Sequence, residues 1–175
     1  MSYFSMFPEV VYDSKGDKNY TIMKNIFTRV KLNSIAKTNI MDFDYYDVQD
    51  GEAPEIIAHK YYGDSELHWT ILIVNDVIDI YHDWPMSSQK FEQYIKEKYT
   101  NPDAVHHYEV AQTSGDTTVN IDVGMNTTDY PSALPISNYQ YEDNLQDTKR
   151  KIRLIQPQYI EEFVEEFETK LKRGG

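Results

Sequence analysis

The chain has 175 residues, of which 40% are hydrophobic and 26% charged, and it carries a formal net charge of −12. That balance excludes a disordered chain and a wholly membrane-embedded one, and the length suits one domain or a small module with extensions. There is no cysteine, so disulfide staples, thiolate zinc sites and cysteine nucleophiles are excluded.

Residues 1–45 predict an extended N-terminal arm with scattered apolar anchors. Phe4, Phe7, Val10, Val11 and Tyr12 precede a turn at Ser14-Lys15-Gly16-Asp17. Ile22, Met23, Ile26, Phe27 and Val30 follow, with a spacing that fits short helix and short strand alike. In the next stretch Tyr46 and Val48 alternate with Asp47 and Gln49, the period of a half-buried strand. Asp50-Gly51 supplies turn chemistry, and Pro54 suits the first turn of a helix, where its missing N–H is not needed. Ile57 and Tyr61 share one face of that helix, flanked by Ile56 and Ala58, and Gly63 is placed to close it. Asp64 or Ser65 can cap a second helix, in which Leu67, Trp69, Ile71, Leu72 and Val74 form a dense apolar run that Asn75-Asp76 ends. The plain reading of these apolar positions is the core of a small α+β unit.

Ser87 or Ser88 starts a helix through about Tyr99, with Phe91, Tyr94, Ile95 and Tyr99 on one stripe, and Asn101-Pro102 ends it. Alternation at 105–112 and 119–123 around Ser114-Gly115-Asp116 predicts a hairpin over 105–124. Residues 124–139, rich in Gly, Asn, Thr, Pro and Ser, read as a loop. Residues 149–155 read as a strand, Ile152 and Leu154 facing one way and Lys151, Arg153 and Ile155 the other. After Pro157, the spacing of Ile160, Phe163, Val164, Phe167 and Leu171 predicts an amphipathic helix whose basic end complements the helix dipole. That stripe suits docking on a neighbour as well as packing on the chain's own domain. The expected organisation is an arm at 1–45, a module and its following helix at 46–99, a hairpin and loop at 100–147, and a strand and helix at 148–175.

The charge is unevenly placed. Residues 41–83 hold eleven acidic residues against one lysine, whereas residues 1–40 and 148–175 are net basic. An acidic centre with basic ends does not suit nucleic acid, whose affinity comes mainly from phosphate neutralisation. It suits protein partners with complementary patches, or simply a solvated face. Fifteen tyrosines fit partly wet interfaces equally well as a tyrosine-rich core surface. No basic segment followed by an apolar run opens the sequence, so no secretory signal is expected, and the longest apolar run, Thr70 to Val74, is far below the ~20 residues of a membrane helix. The five histidines form no ligand motif, and no phosphate loop, dinucleotide fingerprint or nucleophile elbow is present. The sequence therefore predicts neither an enzyme nor a cofactor.

Tyr46, Val48, Gly51, Glu52, Ile57, Ala58, Tyr61, Tyr62, Gly63, Asp64, Trp69, Leu72 and Asn75 follow the signature spacing of LysM modules. The stretch resembles such a module up to Asn75. It then departs: where LysM modules close with a short strand, this chain runs through Asp83-Trp84-Pro85 into a new helix. With Tyr3 to Pro8, Asn25 to Val30, Phe91-Glu92 and Lys149 to Ile155 in the same order, the chain resembles the small LysM-containing baseplate wedge subunit of contractile-tailed bacteriophages of the T-even type. The resemblance implies a structural virion protein with a LysM-like βαα(β) unit, one that joins neighbouring wedges during assembly in the host cytoplasm. It implies several copies in a symmetric particle and contacts with the wedge core bundle, the sheath-initiating subunit and adjacent wedges. Phe4, Phe7, Ile26, Phe27, Ile160, Phe163, Val164 and Phe167 are the candidate partner-binding residues. The alternatives are a peptidoglycan-binding LysM module and a cell-wall hydrolase with an unrecognised site.

Overall fold

The computed structural model describes residues 3–28, 43–116, 118–125 and 127–173; Val30 of the predicted arm lies outside them. The fold is α+β, and its contacts divide the chain into two compact units. Unit 1 takes residues 1–48, 52–83 and 151–175; unit 2 takes 49–51 and 84–150. Unit 2 is thus inserted within unit 1, a division that differs from four consecutive segments.

In unit 1 a 3-10 turn, Tyr3–Met6, leads into a hairpin of β1 (Glu9–Tyr12) and β2 (Thr21–Lys24), so part of the arm is β-structure. Strand β3 (Phe43–Asp47) begins three residues before the predicted start and ends before Val48, which is nonetheless buried. Helix α1 (Pro54–Tyr62) starts with its proline in the first turn and ends on Gly63, whose φ of 77° is the left-handed conformation that glycine adopts without strain. Asp64 accepts the N–H of Glu66 and opens a 3-10 turn, Ser65–Leu67, that runs into α2 (His68–Val74). A single helical turn follows, α3 (Ile80–Asp83).

Unit 2 opens with α4 (Ser88–Lys98). Ser87 sits at its cap position without a side-chain bond; the carboxylate that accepts the Ser88 N–H is that of Asp50, at 2.6 Å. The sheet runs β5-β4-β6, from β4 (Val105–Ala111), β5 (Asn120–Asp122) and β6 (Leu134–Ser137). The predicted hairpin is β4 with β5. The third strand, and the 13-residue helix α5 (Asn138–Arg150) after it, replace the predicted loop and the start of the predicted last strand. Hydrophobic periodicity misses α5 because its buried side chains are Glu142 and Gln146. A capping box does mark it: Gln140 N–H donates to Ser137 Oγ at 3.2 Å, and Ser137 N–H donates to Gln140 Oε1 at 2.9 Å.

The chain then returns to unit 1. Strand β7 (Lys151–Ile155) pairs antiparallel with β3, Tyr45 opposite Arg153 and Asp47 opposite Lys151. Strand β3 therefore takes its partner from beyond unit 2. Helix α6 (Ile160–Arg173) follows. The core of unit 1 gathers Met6, Phe7, Trp69, Val74, Ile155, Ile160, Phe163, Phe167 and Leu171.

Candidate interaction surface

The hairpin of unit 1 is fixed at both ends. At its tip, the Asp13 carboxylate accepts the N–H groups of Gly16 at 2.7 Å, Lys18 at 2.9 Å and Lys15 at 3.2 Å. Desolvation alone would raise that carboxyl; the surrounding backbone N–H groups outweigh it and hold the group below the usual aspartate range. At its base, Lys24 Nζ donates to the carbonyls of Phe7 at 3.1 Å and Ser5 at 3.2 Å and pairs with Glu9. Asn25 then accepts the Phe27 N–H with its side chain and bonds Pro8 with its own N–H.

Between these ties every strand residue is exposed. Val11 stands opposite Ile22 and Val10 opposite Met23, so side-chain alternation puts an apolar pair on each face of the ribbon. Val11 is 68%, Ile22 72% and the following Phe27 88% exposed. A two-stranded hairpin is marginal in water without a covered face. This one is ordered by polar ties while its apolar surface stays open.

A groove of about 460 Å³ lies elsewhere on unit 1, lined by Phe4, Trp69, Leu72, Ile73 and Val77, with Tyr3, Glu66 and His68 bringing polar groups. Phe4 is 61% exposed there. Beyond Val77, the fully exposed Ile78 sits on a loop that the Asp83 carboxylate holds through the N–H groups of Ile78 and Asp79.

Of the residues expected to meet partners, Phe4, Ile26 and Phe27 are exposed. Phe7, Ile160, Phe163 and Phe167 are not: they are buried together around Trp69, and Val164 packs against the same cluster. The α6 stripe is filled by its own unit, which corrects its reading as a docking face. Trp69 lies 4.7 Å from Phe167 and 6.0 Å from Phe163, ring centre to ring centre.

The remaining singled-out residues are internal or satisfied locally. Val48, Ile57, Ala58 and Trp69 are buried; Leu72 is half-buried. The hydroxyls of Tyr46 and Tyr61 donate to Glu52 and Asp44, and burial pushes the Tyr62 hydroxyl up to about 12. Gly51, with φ 73°, supplies its turn. Asn75 does what periodicity alone gave no hint of. Its amide donates to the carbonyls of Ile71 and Arg153 and accepts the Arg153 N–H at 2.8 Å, tying the end of α2 to β7. Among the described residues no group of three or more His, Asp or Glu side chains is arranged to hold a metal ion, and no helix is long and apolar enough to cross a membrane.

Residues 2–123 match the family model described as base plate wedge protein 53. The chain belongs to the base plate wedge protein 53 family. It is a structural protein of a bacteriophage tail baseplate. The chain is also 34% identical over 56 residues to the baseplate wedge protein gp53 of Enterobacteria phage T4, a match that covers 32% of this chain and 29% of the relative. The aligned stretch thus spans less than a third of that relative's length. The described residues of unit 1 carry two exposed apolar features, the hairpin and the groove.

Proposed function

We propose that this protein is a clamp between neighbouring wedge subunits, assembled in the host cytoplasm, present in several copies and touching the wedge core bundle, the sheath-initiating subunit and the adjacent wedge. The observation that carries the reading is the hairpin of β1 and β2. A ribbon that is ordered at both ends yet apolar on both faces is suited to a slot between two other proteins, where each face is covered. Exposed apolar patches of this kind mark protein interaction sites. Ile26 and Phe27 extend the surface beyond the strands, and Phe4 is exposed separately at the groove. The β3–α1–α2–β7 arrangement with the signature residues of 46–75 supports a LysM-like unit interrupted by unit 2, used here as a scaffold.

The test is a Val11→Asp, Ile22→Lys double variant, which sets opposite charges across the ribbon in place of the apolar pair. Both sites are exposed, so the isolated protein keeps its circular dichroism and unfolding midpoint. Its incorporation into baseplates, quantified by mass spectrometry of purified particles, drops at least about tenfold, the consequence of losing about 1.4 kcal/mol of association. Normal incorporation would remove the hairpin from the clamp. Saturable retention of the wild-type protein on purified sacculi would instead favour glycan binding.

A further inference from the structure

Resting on that reading, we infer that the groove beside α2 receives an apolar peptide segment of another wedge subunit that carries a lysine or arginine. The apolar wall, formed by Phe4, Leu72, Ile73 and Val77, calls for an aliphatic side chain. The polar members choose the rest. His68 Nδ1 lies 2.9 Å from the Ser65 carbonyl oxygen, which only accepts, so Nδ1 carries a hydrogen and is used within the chain, and Nε2 is the ring nitrogen left for an occupant. The Glu66 carboxylate, exposed at the groove, takes part in no ion pair or hydrogen bond with the described residues; only its backbone N–H is engaged, by Asp64. The Tyr3 hydroxyl, which also lines the groove, can donate or accept, whereas the Glu66 carboxylate only accepts and is the one formal charge fixed there, so a cationic side chain is the occupant that it selects.

The setting strengthens the choice. Residues 41–83, which contain α2 and its flanking turns, carry eleven acidic residues and one lysine, and Lys60 is already held by Glu52. A cationic segment is drawn to this surface and an anionic one repelled, so the field selects as well as attracts. The open face of Phe4 adds a ring over which a guanidinium stacks. The occupant is therefore basic and apolar, not acidic and not a second acidic centre of this chain.

Two synthetic peptides test this on the full-length protein by titration calorimetry: a leucine-isoleucine core bracketed by arginines, and its glutamate-bracketed twin. The arginine peptide is expected to bind at least about tenfold more tightly. Glu66→Lys should abolish or reverse that preference, and Phe4→Ala, which removes apolar area without adding charge, should weaken both peptides; each site is exposed, so an unchanged unfolding midpoint verifies the fold. Equal affinity for the twins, no binding of either, or a preference that survives Glu66→Lys overturns the assignment. So does a dimer of the protein alone that Phe4→Ala dissociates, which would make a second copy the occupant. Particle composition separates this inference from the reading beneath it. Wild-type protein present in baseplates without the peptide preference sinks only the groove's occupant, whereas its absence from baseplates sinks the clamp.

Discussion

Trp69 shows how one residue organises a unit. Its ring is buried against Phe163 and Phe167 of the last helix and lies 5.4 Å from Tyr3 at the start of the chain, so three distant segments meet on one side chain. Trp69→Ala is expected to cost ~3–5 kcal/mol, the range for truncating a buried aromatic into a cavity. Urea unfolding of the full-length protein measures it, and a loss below about 1 kcal/mol, the ordinary surface value, would place Trp69 outside the core. Asn75 acts differently, through hydrogen bonds rather than area. Asn75→Ala leaves the part-buried N–H and C=O of Arg153 without their partners, and about 1–3 kcal/mol of stability should go with them. Hydrogen exchange at the Arg153 amide reads the effect directly: it should quicken more than exchange at amides inside α1.

At the scale of elements, α6 and the pairing of α4 with α5 carry different chemistries. The buried face of α6 is wholly apolar: Ile160, Phe163, Phe167 and Leu171 all lie in the core of unit 1. Deleting residues 158–175 should therefore unfold that unit, seen as loss of near-ultraviolet circular dichroism, whereas a free docking helix would be removed without that loss. Between α4 and α5 a buried charge stands beside the ring contact of Phe91 with Tyr139. Glu142, 3% exposed, accepts from Lys98 and Tyr99, each at 2.7 Å. Burial alone would raise its carboxyl; the hydrogen bonds from Lys98 and Tyr99 and the Lys98 charge outweigh it and hold the group below the usual glutamate range. A carboxyl lowered in the folded state stabilises fully above its unfolded value, about 4.3, and that contribution is lost as the pH falls through the lower folded value. Acid titration of the unfolding midpoint should show this loss in the wild type, and Glu142→Gln should flatten it while lowering stability at neutral pH. The sequence offers no apolar stripe to announce α5, because the residues that face inward there are a carboxylate and an amide. Its capping box, Ser137 with Gln140, was the readable signal.

At the scale of the molecule, unit 1 is assembled from the two ends and the middle of the chain. Strand β3 meets β7 only after unit 2 has been crossed, so the contact closes a long loop and folding of the unit waits on distant residues. Periodicity and punctuation in the amino-acid sequence were enough to read several local elements. These are α1 between Pro54 and Gly63, α2 ended by Asn75, the amphipathic α6, and the residue spacing that pointed to a baseplate wedge protein. Local signals sufficed there because caps, glycine conformations and apolar spacing act within a turn or two of the chain. What each apolar surface covers is settled by long-range packing. It took Phe7, Phe163 and Phe167 into the core and left Val11, Ile22 and Phe27 outside, though all six are equally apolar in the sequence. It also paired β3 with a strand from beyond unit 2. The physical reason is that burial is a property of surfaces meeting in space, and the partners of these side chains lie many tens of residues away.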